Sequence, residues 1–366
     1  MKRLLCIISS MNSGGAETFL MKIYRKLDTS EYQMDFCINT KEDCFYNSEI
    51  LRLGGKIFYI PSKSENKKEF KKQLYSLIKR EKYQYILRIT SNAMGFMDVK
   101  IAKKAGAERC LVRATNAGSN GLFCEILHKI GKILYMKYID VKIAPSDLAA
   151  EYTFGKRQVR NGDVKFLHNA VDIDVVKYDG GDRVNIRREL GIEDKLVVGH
   201  VGRLNRQKNH MFLLDIFGEI KKRNGNAVLV LVGKGELESD IRAKITEMGL
   251  TDSVIFTGVR SDVPALMSAM DVFVFPSFYE GMPNTVIEAQ ATGLPCVIAD
   301  TITREADITG LVKYLSLSDT AERWSEEAMS LVSSERADTR QAFIDNKYDI
   351  DSTVKYFTEL VFEANK

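Results

Sequence analysis

Glu280 and Glu288 have seven residues between them in the stretch Pro276-Ser277-Phe278-Tyr279-Glu280-Gly281-Met282-Pro283-Asn284-Thr285-Val286-Ile287-Glu288. Asp271 to Phe275 reads as a buried strand, and Gly293 with Pro295 marks the end of a helix of about two to three turns. Glu280 then lies on the loop leaving the strand, and Glu288 projects from the helix. At the helix start, the backbone N–H groups of roughly Asn284 to Val286 lack a helical acceptor and can hold an anion such as a diphosphate. Carboxylates on either side of that seat suit hydroxyl groups. A phosphate seat flanked by hydroxyl partners has the profile of a sugar nucleotide.

A second group follows the apolar run Leu196 to Val201, in Gly202-Arg203-Leu204-Asn205-Arg206-Gln207-Lys208-Asn209-His210. Gly202 lets backbone approach a ligand, Arg203 can grip a phosphate with two parallel N–H bonds, and Lys208 adds a point charge. Alone, such a loop is more often a solvated turn; its position beside the next features favours the phosphate reading. The next two runs end in Gly233-Lys234-Gly235 and Gly258-Val259-Arg260, where Gly233 would make room for a nucleotide and the backbone of Val259 and Arg260 could read a base edge. Near the start, Ser9 to Thr18 contains Gly14-Gly15 but lacks the G-x-G-x-x-G spacing, and the second strand ends in Asn39 where a dinucleotide fold prefers an acid. This disfavours a nicotinamide site but allows a phosphate or sugar close to the helix start.

Metal ligation is not expected. The six cysteines form no C-x-x-C pair, and the four histidines are scattered. Asp172-Ile173-Asp174 and Asp349-Ile350-Asp351 match a D-x-D string, but so short a string arises by chance. The cysteines read as reduced, buried thiols of a cytoplasmic protein, and Met1 to Ile8 as a first strand in place of an export signal. No apolar run approaches the about 18 residues that a bilayer requires.

The net charge of +4 conceals a division. Residues 1–172 carry 30 basic and 18 acidic side chains, whereas residues 173–366 carry 23 and 31. Lys63 to Lys82 concentrates eight basic residues against three acidic ones. In Gly121 to Tyr138, Phe123, Ile126, Leu127, Ile130, Ile133 and Leu134 alternate at helical spacing with His128, Lys129, Lys132 and Lys137. Such a helix either rests on an anionic membrane surface or buries its apolar face in the core. Nucleic acid is not an expected partner, because no recognisable motif accompanies the charge.

These residues need a scaffold that brings loop ends together. Short apolar runs at Leu4 to Ser9, Met34 to Ile38, Lys56 to Tyr59, Tyr85 to Ile89, Arg109 to Arg113, Val141 to Ala144 and Lys165 to Leu167 alternate with helical periodicity, such as Glu17 to Leu27 and Glu69 to Arg80. The pattern restarts after Asp179-Gly180-Gly181-Asp182, with runs at Leu196 to Val201, Ala227 to Val232, Val254 to Phe256, Val272 to Phe275 and Cys296 to Ile298. The expected class is α/β: two Rossmann-like doubly wound domains, 1–172 and 173–344, facing across a cleft, with a last helix within about 345–366 returning to the first.

Gly14-Gly15-Ala16-Glu17, Gly202-Arg203 with Lys208-Asn209, Gly233-Lys234-Gly235 and the E-x7-E pair, in this order and spacing, resemble the retaining GT-B glycosyltransferases of family GT4. More narrowly the chain is similar to the bacterial enzymes of capsular and exopolysaccharide synthesis. The resemblance covers nearly the whole chain. It implies that Arg203 and Lys208 bind the donor diphosphate, that Glu288 meets the ribose and that Glu280 faces the donor sugar. The backbone of Gly281, Met282, Pro283, Asn284 and Thr285 would hold sugar and phosphate, Gly15 would meet the diphosphate from the first domain, and Gly14 would lie on the acceptor side. His168-Asn169-Ala170-Val171-Asp172 resembles the family's interdomain segment, with Ala170 in place of glycine. Where relatives often carry histidine near a donor-sugar or acceptor site, this chain has Arg113, Thr115 and Asn116.

The activity so implied is metal-independent, cofactor-free transfer of a sugar, with retention, from a nucleotide-sugar donor, UDP-linked, to a lipid-linked saccharide at the inner membrane face. An epimerase or phosphorylase of the same fold, or a non-catalytic nucleotide-sugar-binding partner, are the competing readings.

Overall fold

The computed structural model describes residues 1–12, 14–115, 122–280, 282–333 and 335–363, apart from the side chains of residues 122 and 123. Two compact units divide the chain: Met1–Ala170 with Lys347–Lys366, and Val171–Asn346. Each is built on one parallel sheet.

In the first unit the strands are β1 (Lys2–Ile7), β2 (Tyr32–Ile38), β3 (Ile57–Tyr59), β4 (Tyr85–Thr90), β5 (Arg109–Ala114), β6 (Val141–Ala144) and β7 (Val164–Phe166), in the order β3-β2-β1-β4-β5-β6-β7. The continuous apolar run of β1 is buried on both faces, as a sheet covered on both sides requires. Leu4 and Cys6 join a core with Phe19, Leu20 and Phe36, while Leu5 and Ile7 face Phe70, Leu74 and Phe96 on the other side. The helix Ile350–Phe362 completes the first of these cores with Phe357 and Val361, and its Phe362 ring stacks on Tyr32 at 4.6 Å.

The second unit contains β8 (Leu196–Val201), β9 (Ala227–Val232), β10 (Val254–Gly258), β11 (Val272–Phe275), β12 (Cys296–Ala299) and β13 (Val312–Leu315), in the order β10-β9-β8-β11-β12-β13. Asp271 anchors the start of β11 by accepting from Arg183, Arg187 and the Val197 N–H at 2.6–2.8 Å. The α/β class expected from the sequence is observed in both units.

Three local features depart from the sequence reading. β13 has no matching apolar run, because it is a four-residue edge strand with Lys313 in its middle. The helix expected from Glu69 starts at Lys63, where Ser62 and Glu65 form a reciprocal capping box, and it is interrupted at Asn66. Five cysteines are buried as free thiols, but Cys124 is exposed on the helix Leu122–Tyr135.

Candidate functional site

The strand order of the second unit reverses between β8 and β11, which pair directly (Val198 with Val272, Gly199 with Phe273) while β9 lies on the other side of β8. Loops leaving such neighbours diverge, so a ligand seat opens at their carboxyl ends. The loop after β8 carries Gly202, Arg203 and Lys208; the loop after β11 carries Glu280. Lys208 Nζ lies 2.6 Å from Glu280 Oε1 and 4.5 Å from the centre of the Phe275 ring. Both side chains are largely shielded, 15% and 10% exposed.

The backbone fixes this pairing. Asn205 caps the 3-10 turn Arg206–Lys208, and Asn209 takes a left-handed conformation that turns the chain into the helix His210–Arg223. Gln207 ties the two loops together: its carbonyl accepts from the Phe278 N–H at 2.9 Å, and its Nε2 donates to the Tyr279 carbonyl at 2.8 Å. Under Lys208 lie His200 and His210, both buried, with ring centres 4.8 Å apart. Burial, first, and the charge of Lys208 hold both imidazoles in the neutral form, His210 down to about 4.

Arg203 points outward, 72% exposed, with Glu236 at 3.4 Å. Gly233 adopts φ +137°, and a Cβ there would stand 2.1 Å from the Gly202 carbonyl oxygen. Its missing side chain is thus taken up by contact between the two loops, not by open space for a nucleotide. Val259 is exposed, and the Arg260 guanidinium is held by Asp262 at 2.6 Å and Glu189 at 2.7 Å, which raise its pKa. The Arg260 side chain is thus engaged within this unit, while that of Val259 is not covered by it.

Pro283 is the N-cap of the helix Asn284–Ala291, which carries Asn284, Thr285 and a half-buried Glu288; Met282 packs on the core of this unit. The expected row of amides is shorter by one, because the Val286 N–H already donates to the Pro283 carbonyl at 3.0 Å. Gly281 lies outside the described residues.

In the first unit, Gly14 caps the helix Gly15–Lys26, and the Glu17 carboxylate folds back over it. Burial raises the Glu17 pKa. Arg113 is buried near the end of β5, and Thr115 follows at its carboxyl end, half-buried; Asn116 lies outside the described residues. Of the two D-x-D strings, Asp174 pairs with Arg340 at 2.8 Å, and Asp349 caps the last helix through the Ser352 N–H. Among the described residues, no group of three or more His, Cys, Asp and Glu side chains could hold a metal ion.

The helix Leu122–Tyr135 reverses the ordinary arrangement. Ile126, Ile130, Ile133 and Leu134 are exposed, Ile133 by 80%, with Lys129 exposed beside them. His128 and Lys132 turn inward instead. His128 accepts from the Ala93 N–H at Nδ1 (3.0 Å), and its Nε2 lies 2.9 Å from the Tyr152 carbonyl. Gly131 lets the helix approach so closely that a Cβ there would meet the Ala93 carbonyl at 2.6 Å. Sequence periodicity identified the helix but not which face is buried. Among the described residues, no helix is long and apolar enough to cross a membrane.

EpsF of Bacillus subtilis (strain 168), which carries the name of a glycosyltransferase, is 35% identical over 334 residues, spanning 89% of this chain and 86% of its own length. The profile for glycosyl transferases group 1 matches residues 182–350, the part that carries Arg203, Lys208, Glu280 and Glu288. The chain belongs to this glycosyltransferase family. A further relative of the glycosyltransferase is the Escherichia coli UDP-Gal:alpha-D-GlcNAc-diphosphoundecaprenol alpha-1,3-galactosyltransferase, 30% identical over 240 residues, which are 62% of this chain and 60% of that one. Among solved structures, Anabaena HepE with UDP and glucose has a TM-score of 0.79 at 19% identity, covering 98% of this chain and 99% of that chain. A Rickettsia africae glycosyltransferase reaches a TM-score of 0.81 at 14% identity, covering 99% of each chain. The fold of this glycosyltransferase is therefore that of the GT-B class.

Proposed function

We propose that this glycosyltransferase transfers a sugar from a UDP-linked donor to a lipid-linked saccharide in cell-surface polysaccharide synthesis, with retention of anomeric configuration and without a metal ion. The observation that carries the reading is the shielded Lys208–Glu280 pair at the strand-order reversal of the second unit, beside the helix start at Asn284. The E. coli relative uses UDP-Gal and an undecaprenol diphosphate-linked acceptor, and a Campylobacter jejuni relative acts on a diphospho-undecaprenol saccharide.

As the anomeric bond lengthens, positive charge grows on the sugar and negative charge on the leaving diphosphate. Arg203, exposed beside Glu236, and Lys208, held in place by Glu280, are the cations that meet that negative charge. A diphosphate arriving at Lys208 competes with Glu280, leaving the carboxylate able to accept from a sugar hydroxyl. Glu288, one helical turn from Asn284, takes the ribose hydroxyls. In the first unit, Gly15 is assigned to the donor, and Gly14, Arg113 and Thr115 to the acceptor. The exposed Ile126, Ile130, Ile133 and Leu134, with Lys129, rest on an anionic bilayer and keep the enzyme where its lipid-linked acceptor resides.

The test is product analysis with UDP-glucose, UDP-galactose and UDP-N-acetylglucosamine and a polyprenyl-diphosphate-linked N-acetylglucosamine acceptor. An α-linked product formed equally in EDTA is expected. A β-linked product overturns retention, loss in EDTA overturns metal independence, and unchanged turnover in Arg203→Ala or Glu280→Ala overturns the site.

A further inference from the structure

Strand alternation places Leu111 and Arg113 on one face of the first unit's sheet, and Cys110, Val112 and Ala114 on the other. The face that Leu111 shares is an apolar core with Leu4, Phe19, Phe36 and Phe357. Arg113 is a cation set into it, 2% exposed. Its partners are neutral: Nη2 donates to Asn169 Oδ1 at 2.6 Å, the guanidinium lies 3.6 Å from the centre of the Phe19 ring, and Nε has no acceptor among the described residues. The other two buried arginines differ in this respect. Arg88 Nε lies 2.9 Å from Asp98, and Arg187 Nη2 lies 2.8 Å from Asp271.

A charge removed from water is unfavourable unless something neutralises it. Burial, with no opposing carboxylate among the described residues, pushes the Arg113 guanidinium down to about 9, so it remains cationic at neutral pH. The neighbouring His168, which burial above all holds neutral, supplies no negative charge either. Arg113 is also the last residue but one of β5, close to the carboxyl end of a parallel strand, the end at which open α/β sheets receive ligands.

We propose that Arg113 is a specificity-determining residue that supplies the counter-charge for an anionic group of the substrate, a sugar carboxylate or a sugar-linked phosphate, bound at the carboxyl end of β5 beside Asn169. This rests on the glycosyl-transfer reading and specifies the substrate further: one of its partners carries a negative charge in addition to the donor diphosphate. The carboxylate would be borne by the donor sugar, and the phosphate by the acceptor.

Calorimetric titration of the full chain separates these sources. One pair of ligands is UDP-glucuronate and UDP-glucose; the other, with and without saturating UDP, is N-acetylglucosamine 1-phosphate and N-acetylglucosamine. The expected result is a preference of about tenfold or more for the anionic member of one pair, the magnitude of a charge-assisted hydrogen bond. Arg113→Gln abolishes that preference while UDP affinity is unchanged and the melting temperature is unchanged or raised, since an uncompensated buried charge has been removed. Arg113→Met serves the same purpose if the glutamine variant does not fold. The pair that responds identifies the source. A preference absent in both pairs, or equal in wild type and variant, overturns the proposal, as does a variant that only loses stability. Failure of UDP itself to bind would instead count against the donor reading, and the phosphate pair without UDP would still report on Arg113.

Discussion

Lys208 and Glu280, 72 residues apart in sequence, meet at 2.6 Å in a setting that shields both side chains. Removing one member of such a pair leaves the other charge poorly solvated, which costs about 3–5 kcal/mol in fully buried cases and less here because some exposure remains. Lys208→Met and Glu280→Gln are each expected to lower stability in urea denaturation. The double variant should be more stable than the sum of the single effects requires, by about 1 kcal/mol or more. Turnover should fall by about 10² to 10³ in Lys208→Met, the range for loss of one group that stabilises developing charge. Full additivity would show that the two residues are not coupled.

Gly233 offers a test of the loop packing beneath the site. Its φ of +137°, with only 2.1 Å between an added Cβ and the Gly202 carbonyl oxygen, leaves no room for alanine. Gly233→Ala should lose about 1–3 kcal/mol from backbone strain alone, and UDP affinity should fall with the displaced Gly202 loop. Gly225→Ala, where no atom lies within 4 Å of the new Cβ, should change stability by no more than about 0.5 kcal/mol. Equal melting temperatures for the two variants would contradict this account.

The buried imidazoles predict acid sensitivity. His210 falls from 6.5 to about 4 in the folded protein, and burial also lowers His200 and His128. The folded state therefore binds fewer protons than the unfolded chain below pH 6.5. Stability from neutral His210 is complete above about 6.5 and is lost as pH falls toward 4, roughly 3 kcal/mol in total. Urea midpoints measured from pH 7.5 to 4.5 should fall over this window, less steeply in His210→Gln. An identical slope in the variant would remove His210 as a source.

Exposed apolar residues on the helix Leu122–Tyr135 predict lipid binding without loss of folding. Ile130→Glu with Ile133→Glu should leave the melting temperature within about 2 °C, since surface changes away from the core are typically within ±0.5 kcal/mol. Sedimentation with phosphatidylglycerol vesicles should drop at least tenfold relative to wild type. Retained sedimentation in the double variant would place the membrane contact elsewhere.

The class of the fold was legible because a strand buried on both faces leaves an uninterrupted apolar run, as in Leu4 to Ile7 or Ala227 to Val232, and helical periodicity between such runs imposes parallel strands. Edge strand β13 escaped because one lysine interrupts its four residues. Loop residues at the carboxyl ends of strands were likewise readable as a set of chemical types. Their partners were not, since a hydrogen bond between residues 208 and 280 leaves no mark on local periodicity.

By itself, then, the sequence determined a parallel α/β chain, the glycine-rich and basic loops that follow its strands, and the ordered motifs it shares with glycosyltransferases. Tertiary structure alone decided that Lys208 is held by Glu280, that the Val286 amide donates to Pro283, that Ile126, Ile130, Ile133 and Leu134 of the helix Leu122–Tyr135 turn outward, and that Arg113 enters a core with no acidic partner among the described residues. Periodicity records how side chains alternate around an element. Only the packing of distant elements determines which face is covered and which charge is matched.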